Sequence, residues 1–246
     1  MRQMAVGDLG KSYRYYSPAW QIIKPMIPVT IELAVLATLT SIVLGVPAGV
    51  ISAVRQDTPL DYGLRVFSLA GLSMPSFWLG MVIILVLVSW LGWIPSLTYV
   101  SPRENFWQHA VQFMLPALAV GYRSSALLMR ITRSAVLEVM REDYIRTARA
   151  KGVWTRLIMR RHALRNALLP VVTVIGLEFA FLIGGLVVTE QVFNINGIGK
   201  LFVDATARGD FNLIQGLVLF IATVFIFVNL MVDVLYAWLD PRIRLS

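Results

Sequence analysis

Long apolar runs alternate with short polar connectors along the chain. Five segments stand out, at residues 29–54, 66–91, 113–129, 168–189 and 214–239. A helix needs about 20 predominantly apolar residues to cross the hydrocarbon core of a bilayer. The third segment is the shortest, interrupted by Pro116, Gly121 and Arg123. In lipid every backbone N–H and C=O must find an internal partner, so such segments form helices. Pro47, Pro75 and Pro116 lie inside them, where neighbouring helices can satisfy the carbonyls that a proline frees. The pattern predicts an all-α, polytopic integral membrane bundle of about five transmembrane helices.

Composition strengthens this reading. Hydrophobic residues make up 57% and charged residues 15% of 246, with a mean hydropathy of +0.70. A soluble domain carries about 25% charged residues, so this chain has too little charge to cover a water-soluble globule. With no cysteine, disulfides, thiolate metal sites and cysteine nucleophiles are excluded. His109 and His162 are too far apart in sequence to form a metal-spaced pair.

The net charge of +8 is concentrated. Eleven of the 22 lysines and arginines, but only three of the 14 acids, fall within residues 123–168, and the rest of the chain is neutral. A basic block between apolar runs points to the cytoplasmic face of a membrane. Five crossings would put fifteen basic residues on the side of that block and seven on the other. The expectation is a cytoplasmic C-terminus, an outside N-terminus and outside connectors at 92–112 and 190–213. Trp90, Trp93, Tyr99 and Trp107 cluster near one boundary, as an aromatic belt would. Residues 1–8 lack the 7–15-residue apolar core of a signal peptide.

One motif is rejected. Ala5-Val6-Gly7-Asp8-Leu9-Gly10-Lys11-Ser12 nearly matches a phosphate-binding loop, but alanine replaces the first glycine. Such a loop must leave a buried strand and open a helix, and neither pattern flanks it. If ATP drives this protein, it acts through a partner. Nothing beyond charge suggests nucleic-acid binding.

The most informative stretch is Glu142-Asp143-Tyr144-Ile145-Arg146-Thr147-Ala148-Arg149-Ala150-Lys151-Gly152. Its propensities favour a helix that Gly152 interrupts. Residues 143–151 would form a rod of roughly 13 Å at ~1.5 Å per residue. Tyr144, Ala148 and Lys151 fall on one face at i, i+4 and i+7. A second helical stretch, 153–165, follows with an apolar stripe of Trp154, Leu157, Ile158 and Leu164; Asn166 is placed to cap the next span, with Pro170 in its first turn.

This run, followed by His162-Ala163-Leu164-Arg165-Asn166-Ala167-Leu168-Leu169-Pro170, resembles the cytoplasmic loop of ABC importer permeases, closest to the peptide/nickel (dipeptide and oligopeptide) group. The general permease pattern has Glu-Ala-Ala where this chain has Arg146, Thr147 and Ala148; the Arg-Thr-Ala-Arg-Ala-Lys-Gly version is typical of the peptide group. Gly7-Asp8-Leu9-Gly10, Leu72-Ser73-Met74-Pro75-Ser76-Phe77-Trp78-Leu79-Gly80, Gly197-Ile198-Gly199 and Leu239-Asp240-Pro241-Arg242-Ile243-Arg244 fit as well. Members of the group usually begin with one more span, so residues 1–28 read as the remnant of an external loop. Residues 29–246 read as the permease domain, with a coupling loop at about 131–167.

The resemblance implies a transport role without covalent chemistry, in a bacterial inner membrane. A second homologous permease, two ABC ATPase subunits and an extracytoplasmic substrate-binding protein would complete the machine. No cofactor is expected on this chain, since ATP and Mg would sit on the ATPases. Glu142, Asp143, Tyr144, Arg146, Thr147, Ala148, Arg149, Lys151 and Gly152 would form the ATPase-coupling loop, its arginines pairing with ATPase acids and anionic membrane lipid. Asn196, Gly197 and Gly199 would belong to an outer loop facing the binding protein; Asn196 stands where the family often has proline.

Ionisable groups at membrane depth are costly and face the bundle or water. Glu178, near the middle of the fourth segment, is read either as part of the translocation path or as a carboxyl bonded to a neighbouring helix. Met74 and Ser76, flanking Pro75, would line a pathway or a kinked packing site. Asp233 is read as structural, paired to loop arginines, and Glu32 as interfacial at a helix start. The rival function is a secondary transporter or channel driven by ion gradients, in which the central basic loop has no assigned task.

Overall fold

The computed structural model describes residues 9–92, 99–100, 102–154 and 157–239. Ala5, Val6, Gly7, Asp8, Trp93 and residues 240–246, named above, lie outside them, as does the side chain of His162. Among the described residues the chain is helical. The order is α1 (Ala19–Ile23), a 3₁₀ turn (Lys24–Met26), α2 (Ile27–Val54), α3 (Pro59–Ser73), α4 (Ser76–Leu91) and α5 (Phe106–Val139). Then come α6 (Asp143–Ala150), a π turn (Ile158–Ala163), α7 (Leu164–Gly185), α8 (Val187–Val192), α9 (Ile198–Ala207) and α10 (Phe211–Leu239).

Three stretches are long and apolar enough to cross a membrane: Ala19–Val54, Leu164–Gly184 and Phe211–Val234. The pair α3 and α4, bent by 101°, passes the same test only when the two are taken together, as a broken span or a re-entrant loop. The apolar run at 66–91 predicted one helix, but the helix breaks at Met74, whose φ of −98° and ψ of 128° are extended. Pro75 dictates this, because its ring disfavours the α conformation in the residue before it. The remaining apolar run, at 113–129, lies in α5, whose 34 residues could rise about 51 Å, long enough to cross a bilayer though less apolar than the other three. The helix reaches well beyond the apolar run that marked it. Past residue 129 its buried positions, Thr132, Ala135 and Val136, still recur at helical spacing. A helix shielded by its neighbours does not need an all-apolar surface. Arg123, Arg130 and Arg133, counted above with the loop block, are therefore residues of this helix.

Two compact units emerge from the packing. The first comprises Met1–Ala37, Ser76–Val120 and Phe179–Val228. Its main core joins Leu33 and Ala37 of α2, Phe113 and Ala117 of α5, and Leu182 and Leu186, with Phe193 and Ile195. A second cluster packs Ala19 and Ile23 of α1 on Ile198 and Leu201 of α9 and Leu213 and Leu217 of α10. Asp210, buried before α10, accepts hydrogen bonds from the Ser12 hydroxyl and the backbone of Tyr13, Arg14 and Leu213. That carboxylate pins the hairpin around Lys11–Pro18. Glu32 is paired with buried His109, Nε2 to Oε1 at 2.6 Å, and the other ring nitrogen meets the Val100 carbonyl at 2.8 Å.

The second unit comprises Thr38–Pro75, Gly121–Glu178 and Asn229–Ser246. Here α2 lies tightly on α5. A Cβ on Gly45 would stand 2.6 Å from the Ser125 carbonyl, and one on Gly49 2.6 Å from that of Met129. Small residues four apart allow such approach, and dispersion is what holds helices together in lipid. The α2–α3 turn is fixed by one carboxylate. Asp61, fully buried, takes a two-pronged ion pair from Arg133 of α5, with Nε at 3.0 Å and a terminal nitrogen at 2.8 Å. It also accepts from the Ser52 hydroxyl and the Asp57 amide. Thr58 caps α3 through the Asp61 amide.

Removing one member of a buried pair strands the other charge, at about 3–5 kcal/mol, whereas replacing both by apolar residues is often near neutral. We expect Asp61→Ala to cost about 3 kcal/mol in thermal unfolding of the purified protein. The double variant Asp61→Leu with Arg133→Met should lose less than about 1 kcal/mol. A double variant as unstable as the single would show that the pair is not the source of the effect.

Candidate functional site

The α6 corner belongs to the second unit. Helix α6 spans eight residues, Asp143–Ala150, with Asp143 in its first turn and Arg149 in its last, both favourable to the helix dipole. It ends in a Schellman motif. Gly152 has φ of +77°, its amide bonds the Arg149 carbonyl at 2.9 Å, and the Val153 amide bonds that of Ala148 at 3.2 Å. Only glycine adopts that φ without strain, so Gly152 turns the chain sharply.

One face of α6 is anchored. Ile145 is fully buried among Ala53, Ala135, Val136, Ile158, Met159, Ala163 and Ala167, and Ala148 packs partly against the same cluster. Tyr144, Arg146, Thr147, Arg149 and Lys151 are exposed. The Tyr144 hydroxyl receives a hydrogen bond from the Asn166 amide at 2.9 Å. Asn166 therefore ties α6 to the next helix instead of capping it, because the helical path already runs through the π turn before it. Pro170 accordingly sits inside α7, not in its first turn. Trp154 is 81% exposed beyond the corner. Ser134, Leu137, Glu138, Arg141, Glu142 and Asp143 line an open cavity of about 480 Å³ at the start of α6.

In the first unit, Asn196 and Gly197 lie on the loop between α8 and α9, and Gly199 is the second residue of α9. Only Asn196 of the three is exposed. The loop is built around Glu190, which is fully buried. Its carboxylate accepts from the Thr30 hydroxyl at 2.7 Å and the Lys200 amide at 2.9 Å. Thr30 in turn accepts the Ile198 amide at 2.8 Å. Burial pushes the Glu190 carboxyl up from its usual range, against these hydrogen bonds and the nearby Lys200 charge, which pull it down. A Cβ on Gly197 would land on the Glu190 carboxyl, and one on Gly199 would crowd the Val187 backbone. Both glycines therefore shape the loop from inside. Lys200 Nζ donates to the Asn194 and Asn196 side chains on its outer side.

Within the second unit Glu178 is half-buried and accepts a hydrogen bond from Ser124 of α5 at 2.8 Å. Met74, also half-buried, is the extended residue at the α3 break. Ser76 is half-buried at the first position of α4. Asp233 is exposed and has no ion pair among the described residues; Arg156 and the side chain of Arg161, two of the loop arginines expected to pair with it, lie outside them. No group of three or more potential metal ligands occurs among the described residues.

Residues 45–245 match the family described as binding-protein-dependent transport system inner membrane component. The chain belongs to that family. It is 38% identical to a dipeptide transport system permease protein DppB of Alkalihalophilus pseudofirmus, over 99% of this chain and 79% of that one. To a di/tripeptide transport system permease DppB of Pseudomonas aeruginosa it is 41% identical, over 98% and 78%. A solved chain of the MetNI methionine ABC transporter, inward facing, superposes with a TM-score of 0.71 over 89% of this chain and 97% of that one, at 16% identity. That likeness concerns the fold. The protein is thus a multi-pass inner-membrane permease of the ABC importer type, a transport component that works with ATPase and substrate-binding partners.

The permease's strongest polar anchors escaped the reading of its sequence. Glu190 lies in a six-residue helix with no periodicity to mark a buried face. Asp61 carried a usable signal, since Thr58-Pro59-Leu60-Asp61 has the spacing of a helix N-terminus with a capping acid. We expect Gly197→Ala to destabilise the permease by about 1–3 kcal/mol through overpacking against Glu190. Asn196→Ala should stay within about 0.5 kcal/mol. Thermal unfolding checks both, and an unaffected Gly197→Ala would contradict the described seat of Glu190.

Proposed function

We propose that this permease is the translocation subunit of an ATP-driven importer of peptides or related small solutes, and that α6 is its coupling helix. The peptide substrate is supported by the dipeptide and di/tripeptide permeases it resembles. The observation that carries the coupling role is the two-sidedness of α6. Ile145 seats one face in the core, while Tyr144, Arg146, Thr147, Arg149 and Lys151 are left in the open. A short rod, stopped by Gly152 and anchored on one side, passes on a displacement instead of absorbing it.

In this reading an ATPase subunit grips the open face of α6, with Glu142, Asp143, Ala148 and Gly152 fixing its position. Arg146, Arg149 and Lys151 pair with acids of that subunit and with anionic headgroups. A second homologous permease and a second ATPase complete the machine. ATP and Mg reside on the ATPases, and the permease itself carries no cofactor. The α6 corner and the C-terminus are cytoplasmic and the N-terminus is outside, following the distribution of basic charge. Asn196, displayed by Gly197 and Gly199, meets the extracytoplasmic binding protein. Met74, Ser76 and Glu178 contribute to the translocation path.

Thr147→Trp adds bulk to the exposed face of α6 without touching its core. It should abolish co-purification of the ATPase and lower ATP-dependent dipeptide uptake at least tenfold, with thermal stability unchanged. Retention of the ATPase at the wild-type level would remove α6 as the docking element. Uptake that persists when the partner ATPase cannot hydrolyse ATP would favour an ion-driven transporter.

A further inference from the structure

Helix α5 keeps one stripe uncovered where it runs through the second unit. Arg123, Arg130, Ser134 and Glu138 are exposed at i, i+7, i+11 and i+15, with half-buried Leu127 between the first two. The opposite side, including Ser124, Ser125, Ala126, Leu128, Met129, Thr132, Ala135 and Val136, is buried. The stripe ends where Ser134 and Glu138 line the cavity at the start of α6.

Arg123 is the eighteenth of the 34 residues of α5, so about 25 Å of helix lies on either side of it at ~1.5 Å per residue. A helix of this length that crosses a hydrocarbon layer about 30 Å thick keeps Arg123 inside that layer however its excess length is shared between the two sides. Among the described residues it forms no ion pair, whereas Arg133, two to three turns on, is committed to Asp61. An exposed, unpaired guanidinium at this depth cannot face lipid; it faces water or another polar group. Leu127 is the one apolar step on this stripe. From Arg130 onward its exposed positions are polar as far as the α6 corner, as the wall of an aqueous path would require.

We propose that the Arg123 stripe lines the translocation path and that Arg123 binds the C-terminal carboxylate of the peptide in transit. The guanidinium fork matches a carboxylate with two parallel hydrogen bonds and stays charged at any working pH. The Ser124 hydroxyl, on the buried side of α5, holds the Glu178 carboxyl, so that acid is engaged away from the stripe and Arg123 keeps its charge unpaired. Arg130 is the next cation along the stripe. The assignment rests on the peptide-importer reading above.

The test uses the complete transporter in proteoliposomes, with its binding protein saturating, and compares uptake of Ala-Phe with that of Ala-Phe amide. The binding protein is the same for wild type and variant, so its own preference cancels in the ratio. Arg123→Gln should lower Ala-Phe uptake at least tenfold and amide uptake less than twofold, and Arg123→Lys should recover part of the Ala-Phe loss. Equal losses on the two peptides overturn the proposal, and so does loss of the second permease on co-purification, which would make Arg123 an interface residue. If wild type takes up neither peptide with ATP, the substrate reading itself is wrong and this assignment falls with it. A second variant covers the case in which wild type carries no amide. The chain has no cysteine, so Arg123→Cys provides a single thiol. It should react with a charged, water-soluble thiol reagent and be protected during Ala-Phe turnover. An unreactive thiol, or one that the peptide does not protect, contradicts the assignment.

Discussion

The architecture of the α6 corner depends on the buried carboxylate of Asp61. Through Arg133 it holds α5, through Ser52 it holds α2, and through the Asp57 amide it fixes the turn into α3, where Thr58 accepts the Asp61 backbone amide. Ala53 lies one residue from Ser52, and Ala135 and Val136 lie two and three residues from Arg133. These are the side chains that seat Ile145. The helix proposed as the handle therefore rests on a floor whose two beams are bolted together by one ion pair. Loosening that pair would let α6 move without moving the helices beneath it.

A second constraint sorts the remaining charges. At membrane depth each ionisable group needs a polar partner or water, and the permease satisfies this in different ways. His109 and Glu32 pair directly, and Glu178 accepts from Ser124. Glu190, in the short helix α8, holds the backbone turn that displays Asn196. Each of these groups is explained by what it holds. Arg123 has no such partner among the described residues, and it is on this difference that its proposed place in the path rests.

Much of this was legible in the sequence. The helical bundle followed from runs long enough to span a bilayer. Helix α6 followed from propensity ending at Gly152, whose left-handed backbone and Schellman bonds match the expected turn. Less legible was α5, because the arginines of its open stripe and the serines of its buried side depress its apparent hydropathy. The α3–α4 break was hidden by uninterrupted apolarity on both sides of Pro75. Glu190 looked like an ordinary connector acid, since burial of a single side chain leaves no periodic trace, and the Thr58-to-Asp61 spacing marks a helix start but not the burial of Asp61. The two loop glycines read as a turn signal, and only the Glu190 carboxyl beside Gly197 explains what that turn encloses.

The central claim is that the open face of α6 is held by an ATPase subunit during transport. A single cysteine at Thr147, in a chain that otherwise has none, makes this directly measurable in the assembled transporter. With a short bifunctional thiol reagent and ATPase subunits carrying single cysteines along their permease-facing groove, the account predicts a permease–ATPase crosslink whose yield changes between the nucleotide-free and ATP-bound states. A cysteine that never crosslinks to the ATPase in an actively transporting complex, and is instead labelled freely by water-soluble reagents in every state, would contradict it.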